Sequence, residues 1–299
     1  MLRERIRKLY LHRRVIWDMV TIYFKTKYSG SKLGIWWALL TPLILAYSIN
    51  FIFTNISKVD IPNFTVFVLA GIMPWIFFTN SLNEVTNAFV SNTSILKQAI
   101  FPSELIPLSN ILANFINFLI SLVVLLPLFI FFKPSLITVI IFILPLLLFQ
   151  LLLVVGIGFI FSSWNLFFRD IPHFLSIGFM IWFWVTPVFY PLEAINFPFR
   201  WICLFNPMTY YVIAYQQIIF QARVPSLGNL LILSSTSLIF GLIRVGLARL
   251  RPLLFPIRIE TQHSIRKQEN IQEVHNKGHN IDSKEPFSSE CEMSDESSR

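Results

Sequence analysis

Apolar residues gather along this chain in six runs, separated by short polar breaks and bounded by a basic stretch at each end. The runs cover residues 35–55, 64–80, 106–132, 136–161, 172–189 and 228–248. An α-helix rises about 1.5 Å per residue, so roughly 20 apolar residues cross a hydrocarbon layer roughly 30 Å thick. Leu136 to Phe161 holds no charged residue at all. The pattern predicts an all-α integral membrane protein with six transmembrane helices. The second run is the weakest, because Gly71 and Pro74 interrupt it. Lys133-Pro134 predicts a tight turn after the third run, and Arg169-Asp170 a cytoplasmic turn before the fifth.

Before the first run, residues 1–34 carry nine Lys or Arg among apolar positions at helical spacing. Leu2, Ile6, Leu9, Ile16, Trp17, Val20 and Phe24 form a stripe, and Arg3, Arg7, Arg14 and Lys25 lie largely elsewhere. This predicts an amphipathic helix lying in the cytoplasmic membrane surface. Tyr28-Ser-Gly-Ser-Lys-Leu-Gly34 ends it.

Between the fifth and sixth runs, Pro187, Pro191, Pro198 and Pro207 break any continuous helix. Met208–Phe220 is apolar but too short to span comfortably. Charge decides its status. With six spans and a cytoplasmic N-terminus, the outer faces carry only Lys58, Lys133, Arg200 and Arg223, and the basic C-terminus is inside. A seventh crossing would put that terminus outside, against the positive-inside rule. The segment therefore reads as re-entrant from the outer face, with both termini cytoplasmic. The domains expected are an interfacial segment 1–34, a membrane domain 35–250 and a disordered cytoplasmic tail 251–299.

Composition changes the picture only in part. The chain is 55% hydrophobic and 13% charged, too little charge to clothe a soluble domain of 299 residues. Its net charge of +8 sits at the two ends, which suits anionic lipid and argues against nucleic acid. Cys203 and Cys291 are far apart and support neither a disulfide framework nor a metal site. His263, His275 and His279 have no companion ligands nearby. No Gly-x4-Gly-Lys-Ser/Thr occurs, so ATP is not bound through a P-loop. Glu84, Glu104, Asp170 and Glu193 fall at or near the ends of the runs, which weakens a proton relay. Arg169, Asp170 and His173 are the one candidate for a membrane-embedded glycosyl- or acyltransferase; a charged turn is the simpler reading. No catalytic, cofactor-binding or metal residue is assigned.

Polar positions within the runs are mostly amides and hydroxyls. Asn110, Asn114 and Asn117 share one helix face, either bonding neighbouring helices or facing a wet lumen. A lumen of amides and rings suits a sugar chain, since rings stack on sugar faces and amides bond hydroxyls. Trp36, Trp37, Trp182, Trp184 and Tyr190 are the ring candidates for such a path, alongside the three asparagines. Each ring has an alternative as an interfacial anchor.

The order of motifs resembles a family. Tyr28-Ser-Gly-Ser-Lys-Leu-Gly-Ile-Trp-Trp-Ala-Leu-Leu-Thr-Pro42 enters the first span, Ile100-Phe-Pro-Ser-Glu104 follows the second, and Phe168-Arg-Asp-Ile171 precedes the fifth. Thr186-Pro-Val-Phe-Tyr-Pro191 and Phe205-Asn-Pro207 come next. Over residues 5–250 this is similar to the membrane permease of ABC-2-type exporters, in the branch that moves lipid-linked polysaccharides such as O-antigen, capsule or teichoic acid. The resemblance implies a transport subunit rather than an enzyme, in a bacterial cytoplasmic (inner) membrane, working as a homodimer with two copies of a separate ABC ATPase. ATP and Mg would be bound by that partner. It also implies that about Glu84–Glu104, with Lys97, Phe101 and Pro102, forms a coupling helix against the ATPase. Pro187, Pro191, Asn206, Pro207, Tyr210, Tyr211 and Tyr215 would build an outer gate. An ABC-2 permease exporting a drug, lipid or other small amphiphile is the alternative.

Overall fold

The computed structural model describes residues 7, 11–55, 61–93 and 102–254, with side chains described as far as residue 243. Among these, every regular element is helical. Helix α1 spans Arg13–Tyr28 and ends where Ser29 turns extended and Gly30 takes φ 74°. That positive φ is one only a residue without Cβ adopts freely. A 3-10 turn, Gly34–Trp36, leads into α2, Trp37–Asn55. Asn63, in the left-handed region, starts α3, Phe64–Ser91.

Helix α3 corrects one expectation. Gly71 and Pro74 do not interrupt it, and it runs on past residue 80, so Glu84 lies inside the helix rather than in a connecting loop. Proline is tolerated at membrane depth where neighbouring helices re-satisfy the backbone. The carbonyl that Pro74 leaves without its helical donor is that of Ala70; the Gln150 side-chain amide donates instead to the Pro74 carbonyl across 2.8 Å, tying α6 to α3 beside the proline. Glycine at 71 leaves room for Gln216 and the Val188 carbonyl, which a Cβ would meet at 2.8 and 3.0 Å.

Helix α4 spans Leu105–Phe132. Lys133 and Pro134 then form the expected tight turn, in which the Leu136 amide donates to the Lys133 carbonyl. The run 136–161 is not one helix. It divides into α5, Leu136–Val139, a 3-10 turn at Ile140–Phe142, and α6, Ile143–Trp164. Pro145 explains the break, because its ring and missing N–H disturb the turn reaching back to the Ile141 carbonyl. Helix α7, Ile171–Val185, stops where Thr186, preceding Pro187, is forced extended. After a 3-10 turn at Leu192–Ala194 come α8, Phe199–Phe205, α9, Pro207–Ile219, and α10, Leu227–Leu254.

Among the described residues four helical segments, two of them joined to 3-10 turns, are long and apolar enough to cross a membrane: Gly34–Asn55, Phe64–Ser91, Leu105–Phe132 and Leu136–Trp164. Ile171–Val185 and Leu227–Ile243 are shorter apolar helices. Helix α3 is the centre, packing against α2, α4, α6, α7 and α9. Of its most apolar window 78% is buried, against 11% for Gly34–Asn55, so the core is built on α3 and α2 faces outward. The outward faces are themselves apolar: Ile44, Tyr47 and Phe51 on α2, and Phe174, Ile177, Met180 and Ile181 on α7, are all exposed. Large exposed apolar faces on a well-packed core mark a protein whose solvent is lipid. The chain is a multi-pass membrane protein.

Helix α1 packs along α4 through a stripe that differs from the one expected. Val20 is buried and Ile16, Met19, Tyr23 and Phe24 are half-buried, whereas Trp17 is 64% exposed. The corrected stripe repeats every four residues and brings the hydroxyl of Tyr23 inward, leaving Trp17 to face outward.

Candidate functional site

Beside the middle of α3 a cleft of about 140 Å³ opens between the α1–α2 junction, α3 and α4. Lys27, Tyr28, Trp37 and Thr41 form one side, and Asn80, Asn114, Asn117 and Ser121 the other, over a floor of Phe77 and Phe118. Trp37, Asn114 and Asn117 thus line one cleft, while Trp36 stands outside the lining, 59% exposed, and Asn110 offers its carbonyl to Asn114.

The polar wall is knitted to its surroundings. Lys27 Nζ donates to Glu84 Oε1 at 2.9 Å and to the Tyr23 hydroxyl at 2.6 Å. Tyr23 and the Asn114 amide both donate to Glu84 Oε2. Burial, and then the Glu84 carboxylate, hold the Tyr23 phenol well above its ordinary pKa, so it stays a donor. Burial raises Tyr28 likewise, and its hydroxyl donates to Asn117 Oδ1 at 3.2 Å. Ser121 donates to the Ala38 carbonyl at 2.8 Å, tying α4 to α2. The lining thus sets amide, hydroxyl and ammonium groups beside aromatic faces. That chemistry suits a polyhydroxylated ligand.

A second group lies around α9. Asn206 caps that helix, accepting from the Met208 amide at 2.8 Å and donating to Thr186 at 2.7 Å. Gln216 donates to the carbonyls of Pro187 (3.1 Å) and Val188 (3.2 Å). Tyr211 and Ser237 lie 2.6 Å apart, and Ser237 reaches the Phe149 carbonyl on α6 at 2.8 Å. Tyr215 is fully buried, edge-on to Phe118 of the cleft floor. Tyr210 packs against the core from its margin, Pro207 opens α9 and Pro191 opens the 3-10 turn. The structure therefore gathers Pro187, Asn206, Pro207, Tyr211 and Tyr215 into one packed unit under α3.

The remaining candidates are dispersed. Trp182 packs among Trp75, Phe78 and Phe179, between α3 and α7. Trp184 and Tyr190 line a separate cavity of about 330 Å³ with Cys203, and the Tyr190 hydroxyl donates to the Trp184 carbonyl at 2.7 Å. Pro102 and Glu104 form the entry to α4, the Pro102 carbonyl accepting from Leu105 at 3.1 Å. Lys97 and Phe101 lie outside the described residues, as does the tail beyond Leu254. Arg169 and Asp170 are exposed in the turn before α7, whose first amides Asp170 accepts through its carbonyl. Tyr23, Lys27, Asn80, Gln150 and Gln216 were not singled out from sequence, nor was Asn165, whose buried amide donates to the Thr86 carbonyl of α3 at 2.9 Å. An amide isolated in an apolar run was the available signal for Gln150, and Tyr23 with Lys27 at i, i+4 for α1.

Comparison with known proteins places these features in a lineage. The family model described as ABC-2 type transporter matches residues 14–220, from α1 through α9. Two Klebsiella pneumoniae proteins named O-antigen export system permease protein RfbA are similar. One is 36% identical over 197 residues, 65% of this chain and 75% of the relative. The other is 34% identical over 227 residues, 75% of this chain and 86% of the relative. A Myxococcus xanthus protein of the same name is 30% identical over 236 residues, covering 78% and 91%. With the match spanning α1, the cleft and the α9 unit alike, the chain belongs to the ABC-2 type transporter family.

Proposed function

We propose that the chain is the permease subunit of an ATP-driven exporter that moves a lipid-linked polysaccharide across the bacterial cytoplasmic membrane. The similarity to three O-antigen export permeases, extending over most of each relative, carries this reading. The cleft supports it from the side of chemistry: amide and hydroxyl donors beside Trp37 and Tyr28 match what a passing glycan presents. Without a P-loop, the chain draws its energy from a separate ABC ATPase, two copies against two permeases, with ATP and Mg held there. The segment from Glu84 to Glu104 makes the coupling contact, α1 lies in the inner membrane surface, and both termini are cytoplasmic. Six crossings result when α7 and α10 join the four long apolar helices, and the α8–α9 unit dips back from the outer face as a gate.

The test is co-purification of the chain with the ATPase encoded beside it, followed by ATP hydrolysis assays in nanodiscs. Stimulation by lipid-linked glycan, and none by small amphiphilic drugs, is expected. Stimulation by drugs alone would move the chain to the small-amphiphile exporters.

A further inference from the structure

Three helices meet at the cleft through one charged contact. Lys27, in the last turn of α1, pairs with Glu84 of α3, each side chain about one-third exposed (32% and 31%). Tyr23, one turn earlier, and Asn114 of α4 donate to the same carboxylate. Glu84 is the single acidic residue in helices α2 to α10. Polar donors surround this partly exposed carboxylate, and its counter-charge comes from α1.

Apart from this contact, α1 is held by its packing on α4 and by the Tyr28 hydroxyl on Asn117. Val20 is its one fully buried residue among those described, while Trp17 and Ile22 face outward. Beyond Lys27 the chain passes through Gly30 and Gly34, both at positive φ with nothing within 4 Å of where a Cβ would stand. No side chain packs against either glycine of the α1–α2 junction, which makes it the hinge candidate for α1. Lys27 and Tyr28 are also wall residues of the cleft. A swing of α1 about this junction would separate Lys27 from Glu84 and withdraw two wall residues together. Because both ions already touch solvent, parting them leaves neither stranded in a dry interior.

We infer that Lys27–Glu84 is a latch: closed here, it straps α1 across the cleft, and it opens in each transport cycle. The export part of this inference rests on the function proposed above; the movement itself does not.

Two measurements test it on the full chain with its ATPase, in a Cys203→Ser, Cys291→Ser background. In the first, Lys27→Cys and Glu84→Cys are joined by a short bis-methanethiosulfonate linker in cells lacking the native gene. Surface polymer is expected to fall about ten-fold or more on linking and to return on reduction. A verified cross-link with undiminished export overturns the latch. In the second, spin labels at Lys25→Cys and Ser91→Cys report the α1–α3 distance in nanodiscs. A second, longer distance is expected when ATP is added, and a single unchanged distance overturns the latch. This second measurement decides the matter if the cysteine pair is inactive before linking. It also decides it if the wild-type gene fails to restore polymer to the deletion strain, an outcome that refutes the export reading instead.

Discussion

Gln150 on α6 donates its side-chain amide to the carbonyl of Pro74 on α3 across 2.8 Å, both residues being buried. The contact fastens the two helices at the point where proline weakens α3. The other side-chain atom, Gln150 Oε1, is buried without a partner. Gln150→Leu keeps the volume and removes that orphaned acceptor, so the loss should be limited to one interhelical hydrogen bond, about 1 kcal/mol in a membrane setting. Gln150→Ala leaves a cavity as well and should cost about 2–4 kcal/mol. Unfolding midpoints of the detergent-solubilised protein check the order. Equal losses for the two variants would mean that packing at this site carries nothing.

Two glycines of α6 should differ from one on α7. A Cβ at Gly156 would stand 2.7 Å from the Phe240 backbone of α10, which cannot rotate away, whereas at Gly158 it meets the end of Val85 at 2.8 Å. Gly156→Ala should therefore be destabilising by about 1–3 kcal/mol, with Gly158→Ala milder. Gly178→Ala meets nothing within 4 Å and should be neutral or slightly stabilising, since alanine is the better helix former. Thermal midpoints rank the three. A large loss at Gly178 in the assembled transporter, absent in the isolated chain, would reveal a partner packed on α7.

The same physics explains what could be read in the sequence. Helices α2 and α4 follow from the length of their apolar runs, and α9 was recognisable as a short element between prolines. The end of α3 was missed because its apolar run stops near residue 80 while the helix continues amphipathically. Its buried positions there, Leu82, Val85, Thr86 and Phe89, repeat at helical spacing, a signal that was present but lay among Asn83, Glu84 and Asn87. Asn114 and Asn117 were legible as a stripe on one face. Their partners were not, because Glu84 and Tyr28 come from segments 30 and 89 residues away, and only the packing of α3 and of α1 on α4 brings them together. Tertiary context likewise overruled the breaking tendency of Pro74 and enforced that of Pro145.

Asn206 holds the α9 unit by both ends of its amide, one to the Met208 N–H and one to Thr186. Asn206→Ala removes the cap and leaves Thr186 without that donor, a loss of about 1–2 kcal/mol. Asn206→Asp keeps the cap but cannot donate to Thr186, so it should fall between wild type and alanine. Limited proteolysis around residues 191–206 should accelerate in the same order. A silent Asn206→Ala would show that the α9 unit is held by Gln216 and packing alone.

The number of crossings turns on α9. Thirteen residues at about 1.5 Å each reach about 20 Å, short of a hydrocarbon layer of roughly 30 Å. Tyr211, Val212, Ala214, Tyr215 and Ile218 are fully buried, so α9 is wrapped by the chain itself rather than by lipid. A helix that short and that enclosed should enter and leave on one side. In a background without native cysteines, Arg223→Cys should therefore react with a membrane-impermeant thiol reagent in intact cells, and so should Arg200→Cys. Lys97→Cys and a cysteine in the tail should react only after permeabilisation. If α9 crossed, positions 200 and 223 would lie on opposite sides and the basic tail would face outward, reversing the distribution of Lys and Arg across the membrane. Labelling of the tail in intact cells is the result that would refute the six-span arrangement and, with it, the assignment of α9 to an outer gate.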